Sequence, residues 1–254
     1  MTALGRRMGR SFSPTQWIYL LVHALIFAAG IALYQVKGAL SFSVATSLIS
    51  TGVAGWVIFL WVRQSESRFS TVQALESLGI IKAFTARSIS IRHEYEPRFS
   101  ASRREISIMG FGLRALREDF GDEFANWATR SKVRILLLDP DAPSVHWSYS
   151  AQRDREEGNS AGSIANDVRA FLDYTREVRA AHPQTFQVRL YRCIPSINLC
   201  IVDDDLFWGP YLLGRQSRDT ATLLCGKGGP LYATFVRHFE QIWSDPEMSY
   251  EAAL

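Results

Sequence analysis

Residues 17–36 read WIYLLVHALIFAAGIALYQV and residues 40–62 read LSFSVATSLISTGVAGWVIFLWV, with no Lys, Arg, Asp or Glu in either run. Each is about as long as a helix must be to cross the hydrocarbon core of a bilayer. Only Lys37, Gly38 and Ala39 separate them, so the sequence predicts a hairpin of two transmembrane helices. Arg6, Arg7 and Arg10 precede the first run, Arg63 and Arg68 follow the second, and Lys37 lies in the turn. The positive-inside rule then places both ends in the cytoplasm. A cleaved signal peptide is the competing reading of the first run. Its length, the lack of a small-x-small site before Lys37 and the second run directly behind it argue against that.

The second run is softened by Ser41, Ser43, Thr46, Ser47, Ser50 and Thr51. Such hydroxyls bond back to their own helix or across to a neighbour. Together with the Gly52-x-x-Gly55 spacing they are expected to allow close helix contacts in a multimer; an ordinary anchor with back-bonded hydroxyls is the alternative. Residues 64–78 then show Phe69, Val72, Leu75 and Leu78 at helical spacing, with Gly79 as a stop signal. They read as a juxtamembrane helix, separate from the second run or continuing it, and serve either as a connector packed on the domain or as a stalk that transmits a signal.

Three cysteines, Cys193, Cys200 and Cys225, fall late in the chain. An odd count in a cytosolic domain argues for reduced, buried thiols. No C-x-x-C pair or His/Cys cluster points to a metal. The net charge of +3 is small and sits partly beside the predicted membrane, so bulk nucleic acid is not an expected partner.

Past residue 79 the pattern alternates. Strands are expected over 106–110, 133–138, 186–191, 197–202, 206–212 and 222–225, and helices over 113–129, 164–181 and from Pro230 to about 243. Asp203, Asp204 and Asp205 read as a turn. Strands alternating with helices indicate an α/β sandwich with a mixed sheet.

Several pieces recur in a fixed order: Leu78-Gly79-Ile80-Ile81 with Ala86-Arg87, then Glu105-Ile106-Ser107-Ile108-Met109-Gly110, then a strand ending LLLDP at Pro140. Arg189-Leu190-Tyr191, Pro195-Ser196-Ile197-Asn198, Ile201-Val202-Asp203-Asp204, Gly228-Gly229-Pro230-Leu231-Tyr232 and Phe239-Glu240-Gln241-Ile242-Trp243 follow. In this the stretch from about 79 to 243 resembles the single-lobe phospholipase D-like domains of bacterial sensor and regulator proteins. The resemblance implies one α/β sandwich lobe behind the hairpin. The chain then divides into a basic N-terminus (1–16), the hairpin (17–63), the juxtamembrane helix (64–78) and the phospholipase D-like domain (79–254).

Active members of that family carry H-x-K-x-x-x-x-D, and Ser196 and Asn198 stand where the His and Lys would be, with Asp203 retained. In that chemistry an imidazole attacks phosphorus and a lysine steadies the transferred group; a hydroxyl and a carboxamide do not supply both roles. None of His23, His93, His146, His182 and His238 has a lysine two positions later. The resemblance therefore implies a binding domain without catalytic residues or a cofactor.

A phosphate site is still expected. Gly228 and Gly229 before Pro230 would offer backbone N–H groups at the positive end of the last helix. Lys227 and Arg215 would add charge, and Ser196 and Asn198, on one strand face by the period of two, would hydrogen-bond a phosphate or nucleobase. Tyr211 or Trp208 would supply a stacking surface. Turn chemistry, solvated charge and core packing are the plain alternatives for these residues.

The architecture resembles the membrane effectors of bacterial antiviral systems governed by cyclic nucleotides. That implies a multi-pass protein of the bacterial inner membrane that binds a small phosphorylated ligand, such as a cyclic di- or oligonucleotide, and forms a homo-oligomer that disrupts the bilayer. A membrane-bound phosphodiesterase working as a dimer and a membrane-tethered protein-interaction module remain open.

Overall fold

In the computed structural model, which describes residues 14–36, 38–86 and 89–253, the first apolar run forms α1 (Pro14–Tyr34) and the second opens α2 (Ala39–Ser77). Both runs are long and apolar enough to cross a membrane, and few of their residues are buried. Leu21, Leu25, Leu40, Leu60 and Trp61 point outward. Arg6, Arg7, Arg10, Lys37 and Arg87 lie outside the described residues, as do the side chains of Arg63 and Arg68. The two helices face each other through glycines. A Cβ on Gly30 would meet the backbone N of Ile49 at 2.9 Å, one on Gly52 would meet Phe27 Cβ at 2.8 Å, and the His23 ring occupies the notch at Gly55. Gly52 and Gly55, expected between copies, are thus spent inside the hairpin. The hydroxyls of Thr46, Ser47 and Thr51 bond back to the carbonyls of Phe42, Ser43 and Ser47, which is the back-bonding alternative.

The juxtamembrane segment is not a separate helix but the continuation of α2. Gly79, at φ +78°, ends it, with its N–H on the Glu76 carbonyl at 2.9 Å. This is the left-handed helix stop that glycine adopts without a Cβ clash.

The chain divides into two units at Gln73/Ala74. The second continues through β1 (Ile80–Phe84), α3 (Ile89–Ala101), β2 (Glu105–Gly110), α4 (Arg114–Phe120), α5 (Phe124–Arg130) and β3 (Lys132–Leu138). A small hairpin, β4 (Pro143–Ser144) and β5 (Trp147–Ser148), leads to α6 (Tyr149–Glu157), α7 (Ser163–Tyr174) and α8 (Arg176–Ala181). Then come β6 (Phe186–Tyr191), β7 (Ile197–Val202), β8 (Asp205–Pro210), β9 (Thr222–Gly226), α9 (Pro230–Ser244) and β10 (Ser249–Glu251).

The eight-stranded sheet has the order β1-β9-β8-β7-β2-β3-β6-β10. Its middle strands β2, β3 and β6 are parallel, and the outer pairings are antiparallel. This is the expected α/β sandwich with a mixed sheet. One face buries Ile106, Ile108, Val133, Ile135 and Phe207 against Phe99, Phe124, Trp127, Val168 and Phe171 from α3, α5 and α7. The other buries Met109, Leu136, Leu199 and Ile201 under Tyr232, Phe239 and Ile242 of α9.

Two helices predicted as single are broken. Residues 113–129 divide at a short 3₁₀ turn, Gly121–Glu123, where Gly121 lets the Tyr174 ring approach too closely for any Cβ. Residues 164–181 divide at Thr175, whose Oγ1 bonds back to the Phe171 carbonyl at 2.8 Å and whose backbone leaves helical geometry.

Candidate functional site

The predicted site residues fall at two opposite ends of the sheet. In the β7–β8 hairpin Ile197 pairs with Pro210 and Val202 with Asp205, and β9 runs back so that Gly226 meets Asp205. Ser196, Asn198, Tyr211 and Arg215 therefore lie toward the end where the parallel strands β2 and β3 finish. Lys227, Gly228 and Gly229 lie at the other end, about 17 Å away along the strands. The expected common cleft does not form, because the antiparallel return of β9 carries the Gly-Gly-Pro turn away from Asn198.

At the first end Asn198 is 4% exposed and donates Nδ2 to the Gly209 carbonyl across the hairpin at 2.9 Å. Gly209 leaves room for that carboxamide, since a Cβ there would come within 2.7 Å of the Ala221 carbonyl. Thr222 Oγ1 lies in the same corner, 3.3 Å from the position of that Cβ, buried and without a hydrogen-bond partner. Ser196 is exposed, and its carbonyl accepts the Tyr211 N–H at 2.9 Å. The Tyr211 ring stacks on Phe111, with centroids 3.9 Å apart, and Arg153 lies over both rings. Tyr211 is thus part of an internal stack, and Trp208 packs against Phe235 of α9.

At the opposite end Asp203 is occupied by backbone. Asp203 accepts the N–H groups of Arg103, Arg104 and Glu105, each at 3.0 Å, and the Ser102 hydroxyl at 3.3 Å. Burial pushes its carboxyl pKa up, but these donors outweigh burial and hold it below the usual aspartate value. Tyr232 donates to the Asp203 carbonyl at 2.8 Å, and burial beside Glu105 and Asp204 pushes its hydroxyl up to about 12. Lys227 pairs with Asp204 at 3.0 Å, and Arg104 pairs with the same carboxylate at 2.6 Å. The Gly229 N–H already donates to Gly226 at 3.2 Å, and Gly229 packs against the backbone of Gly79. At the expected anion seat the lysine is thus paired and the Gly229 amide spent, while Gly228 stands exposed.

Arg215 opens onto a different feature, a cleft of about 710 Å³ between Thr85 and Ala86, just past β1, and the 214–219 loop, with Glu157 of α6 in its wall. Arg153 fixes that loop. It is 4% exposed and donates to the carbonyls of Leu212 at 2.9 Å and Arg215 at 3.0 Å. Glu157 is held by Arg153 at 2.8 Å and accepts Ser217 Oγ at 2.8 Å. Sequence reading missed Arg153 and Glu157 because α6 buries Ser150, Arg153 and Asp154 and so shows no apolar stripe.

Cys193, Cys200 and Cys225 form no disulfide among the described residues, and burial pushes Cys193 and Cys225 up in pKa. Among the described residues no group of three or more His, Cys, Asp or Glu side chains is placed to hold a metal ion.

The family described as "Domain of unknown function (DUF5919)" matches residues 80–249. The chain belongs to that family. The DUF5919 match runs from the first residue of β1 to the first of β10 and so takes in the sheet except for the last two residues of β10. No curated protein matches the sequence. Among solved structures, TrmBL2, an archaeal chromatin protein whose structure is described as showing a novel mode of DNA binding, has a TM-score of 0.45 at 12% identity, covering 78% of this chain and 69% of that one. Phosphatidylserine synthase of Haemophilus influenzae Rd KW20 has a TM-score of 0.42 at 13% identity, covering 67% of this chain and 38% of that enzyme.

Proposed function

We propose that this protein is a membrane effector of the bacterial inner membrane, with both termini cytoplasmic. In this reading a catalytically inactive, phospholipase D-like domain binds a small phosphorylated ligand of the cyclic di- or oligonucleotide class. Occupancy then controls oligomerisation and bilayer disruption by the α1–α2 hairpin in antiviral defence. The observation that carries the reading is the join between the parts: the second apolar run and the juxtamembrane segment are one helix, α2, which ends three residues before β1 of the sheet. A change in the domain has a short covalent route to the hairpin.

The absence of catalysis is supported by the state of the motif positions. Asn198 has its amide on Gly209, and Asp203 is taken up by three backbone amides. Oligomerisation is required physically, because two spans without a charged side chain do not line an aqueous path alone. With Gly52 and Gly55 used inside the hairpin, contact between copies would fall to the exposed Ser43, Ser47 and Ser50. Control by ligand requires different affinities for the resting and assembled states, since equal affinity shifts nothing.

The test is dye release from proteoliposomes holding the full chain, titrated with cyclic dinucleotides. A ligand-dependent change in release supports the reading. Hydrolysis of bis(p-nitrophenyl) phosphate that is lost in Ser196→Ala would replace it with a phosphodiesterase. Release indifferent to every ligand, without turnover, would leave a tethered interaction module.

A further inference from the structure

We propose that the ligand's seat is the cleft between the end of β1 and the 214–219 loop, that Arg215 and Arg218 are its phosphate-binding cations, and that an occupant acts on α2 through β1. This rests on the reading that the domain binds a small phosphorylated molecule, and of the site residues singled out in the sequence it keeps only Arg215.

Charge is the first ground. Arg215 and Arg218 both line the cleft and are exposed, and among the described residues neither side chain has a carboxylate or hydrogen-bond partner. The cations at the opposite end are committed: Arg104 and Lys227 to Asp204, and Arg98 to Glu94 and Asp205. The nearest competitor inside the cleft, Glu157, is neutralised by buried Arg153, which leaves Asp219 as the one uncompensated carboxylate of the lining. Two guanidiniums three residues apart on one loop present paired, planar donor forks, the geometry that suits phosphate oxygens. The cleft is open to solvent, and its volume of about 710 Å³ leaves room for a nucleotide-sized molecule to lie against the loop.

Preorganisation is the second ground. The loop is held from α6 by Arg153 on the Leu212 and Arg215 carbonyls and by Glu157 on Ser217, and from within by Thr220 Oγ1 on the Ser217 carbonyl at 2.9 Å. A ligand would meet cations whose backbone is already fixed, so little ordering entropy opposes binding.

The coupling follows from topology. β1 is an edge strand bonded to β9 alone, with a register irregularity between Ile80 and Lys82. Its first residue follows α2 closely in sequence, and Thr85 and Ala86, just past its last residue, form the cleft wall facing the loop. A phosphate bridging the arginines to Thr85 would pin the far end of the strand whose near end carries α2.

The experiment uses the full chain in phosphatidylcholine nanodiscs, with calorimetry against cyclic diadenylate, cyclic diguanylate and pyrophosphate. Arg215→Gln and Arg218→Gln should each weaken the binding probe about tenfold, and the pair at least a hundredfold, with melting temperatures unchanged because among the described residues neither exposed side chain makes an ion pair or hydrogen bond. Ser196→Ala and Lys227→Gln should stay within about twofold of the parent. Binding should also slow hydrogen exchange across residues 80–86. A probe that binds parent and double variant equally would overturn the cleft while leaving the sensing function intact. Failure of all probes on the parent would remove the sensing function and this proposal with it. Adding phosphatidylglycerol to the discs separates a soluble occupant from a lipid headgroup: unchanged affinity supports the former, and competition by the lipid overturns it. Binding without slowed exchange at 80–86 would sink the coupling through β1.

Discussion

The carboxylate of Asp203 accepts the backbone N–H of Glu105 at 3.0 Å, and this contact ties the β7–β8 turn to the first residue of β2. The same carboxylate takes the two preceding amides, so one side chain caps the approach to a central strand. Asp203→Ala should cost about 2–3 kcal/mol, the scale of hydrogen bonds to a charged acceptor lost together, and Asp203→Asn should cost less. Asn keeps one acceptor oxygen and tolerates the left-handed backbone at φ +52°, which Ala does not. Thermal melts of the detergent-solubilised chain measure both. The pH dependence has a definite sign. The folded pKa is lowered, so the stabilisation is complete above the unfolded carboxyl value of about 3.9 and is lost as pH falls through the folded value. Asp203→Asn should flatten that part of the acid limb.

Asn198 offers a test of the proposal that the domain does not catalyse. Replacing Ser196 by His together with Asn198 by Lys would rebuild the motif in sequence, yet the ammonium would enter a position that is 4% exposed beside a carbonyl and an unpartnered hydroxyl. No carboxylate among the described residues pairs with Asn198 to receive it. The double variant should lose about 3 kcal/mol of stability and gain no phosphodiester turnover. Asn198→Ala should cost about 1–2 kcal/mol through the Gly209 carbonyl left without its donor.

Much of the fold was legible because its buried strands are strongly apolar: Val133 to Leu138 and Ile197 to Val202 are apolar runs broken by one polar residue each, and Phe186 to Tyr191 alternates, while Gly228-Gly229-Pro230 marks the start of α9. The elements that escaped are those whose interior is polar or short. α6 turns Arg153 and Asp154 inward, α3 carries Pro97 and charged residues through its length, and β10 has three residues. The site was half legible. The period of two and the Asp203-Asp204 turn bring Ser196 toward Tyr211, but the end of the sheet reached by Lys227 depends on β9 pairing antiparallel with β8. The cleft at Arg218 joins segments more than a hundred residues apart, Thr85 and the 214–219 loop, and no local pattern signals such a meeting.

The hairpin glycines separate two kinds of close contact. At Gly30 the Ile49 side chain at 2.8 Å could give way, but two backbone atoms stand beside it, Ile49 N at 2.9 Å and Ala45 O at 3.1 Å, so Gly30→Ala must push the helices apart and should cost about 1–3 kcal/mol. At Gly55 the obstacle is the His23 ring, a side chain that can swing away. Gly55→Ala should fall within about 1 kcal/mol of the parent, helped by the better helix propensity of Ala. Melting temperatures in detergent rank the two; equal losses would mean that the helices do not meet through Gly30.

Arg153 is where stability and binding meet. Its guanidinium holds Glu157 and Glu156, two loop carbonyls and the faces of Phe111 and Tyr211. Arg153→Ala removes all of these and strands the Glu157 carboxylate in a nearly buried position, so the loss should be about 3–5 kcal/mol. Arg153→Met with Glu157→Leu removes the charges together and should recover much of that stability, since a matched apolar pair need not be worse than a buried ion pair. It should not recover the loop, which still lacks donors for the Leu212 and Arg215 carbonyls. Limited proteolysis should therefore cut the double variant faster than the parent between residues 212 and 219, even at matched melting temperature. If cleavage there is unchanged, the loop is held by something other than Arg153, and the cations it carries are not preorganised by α6.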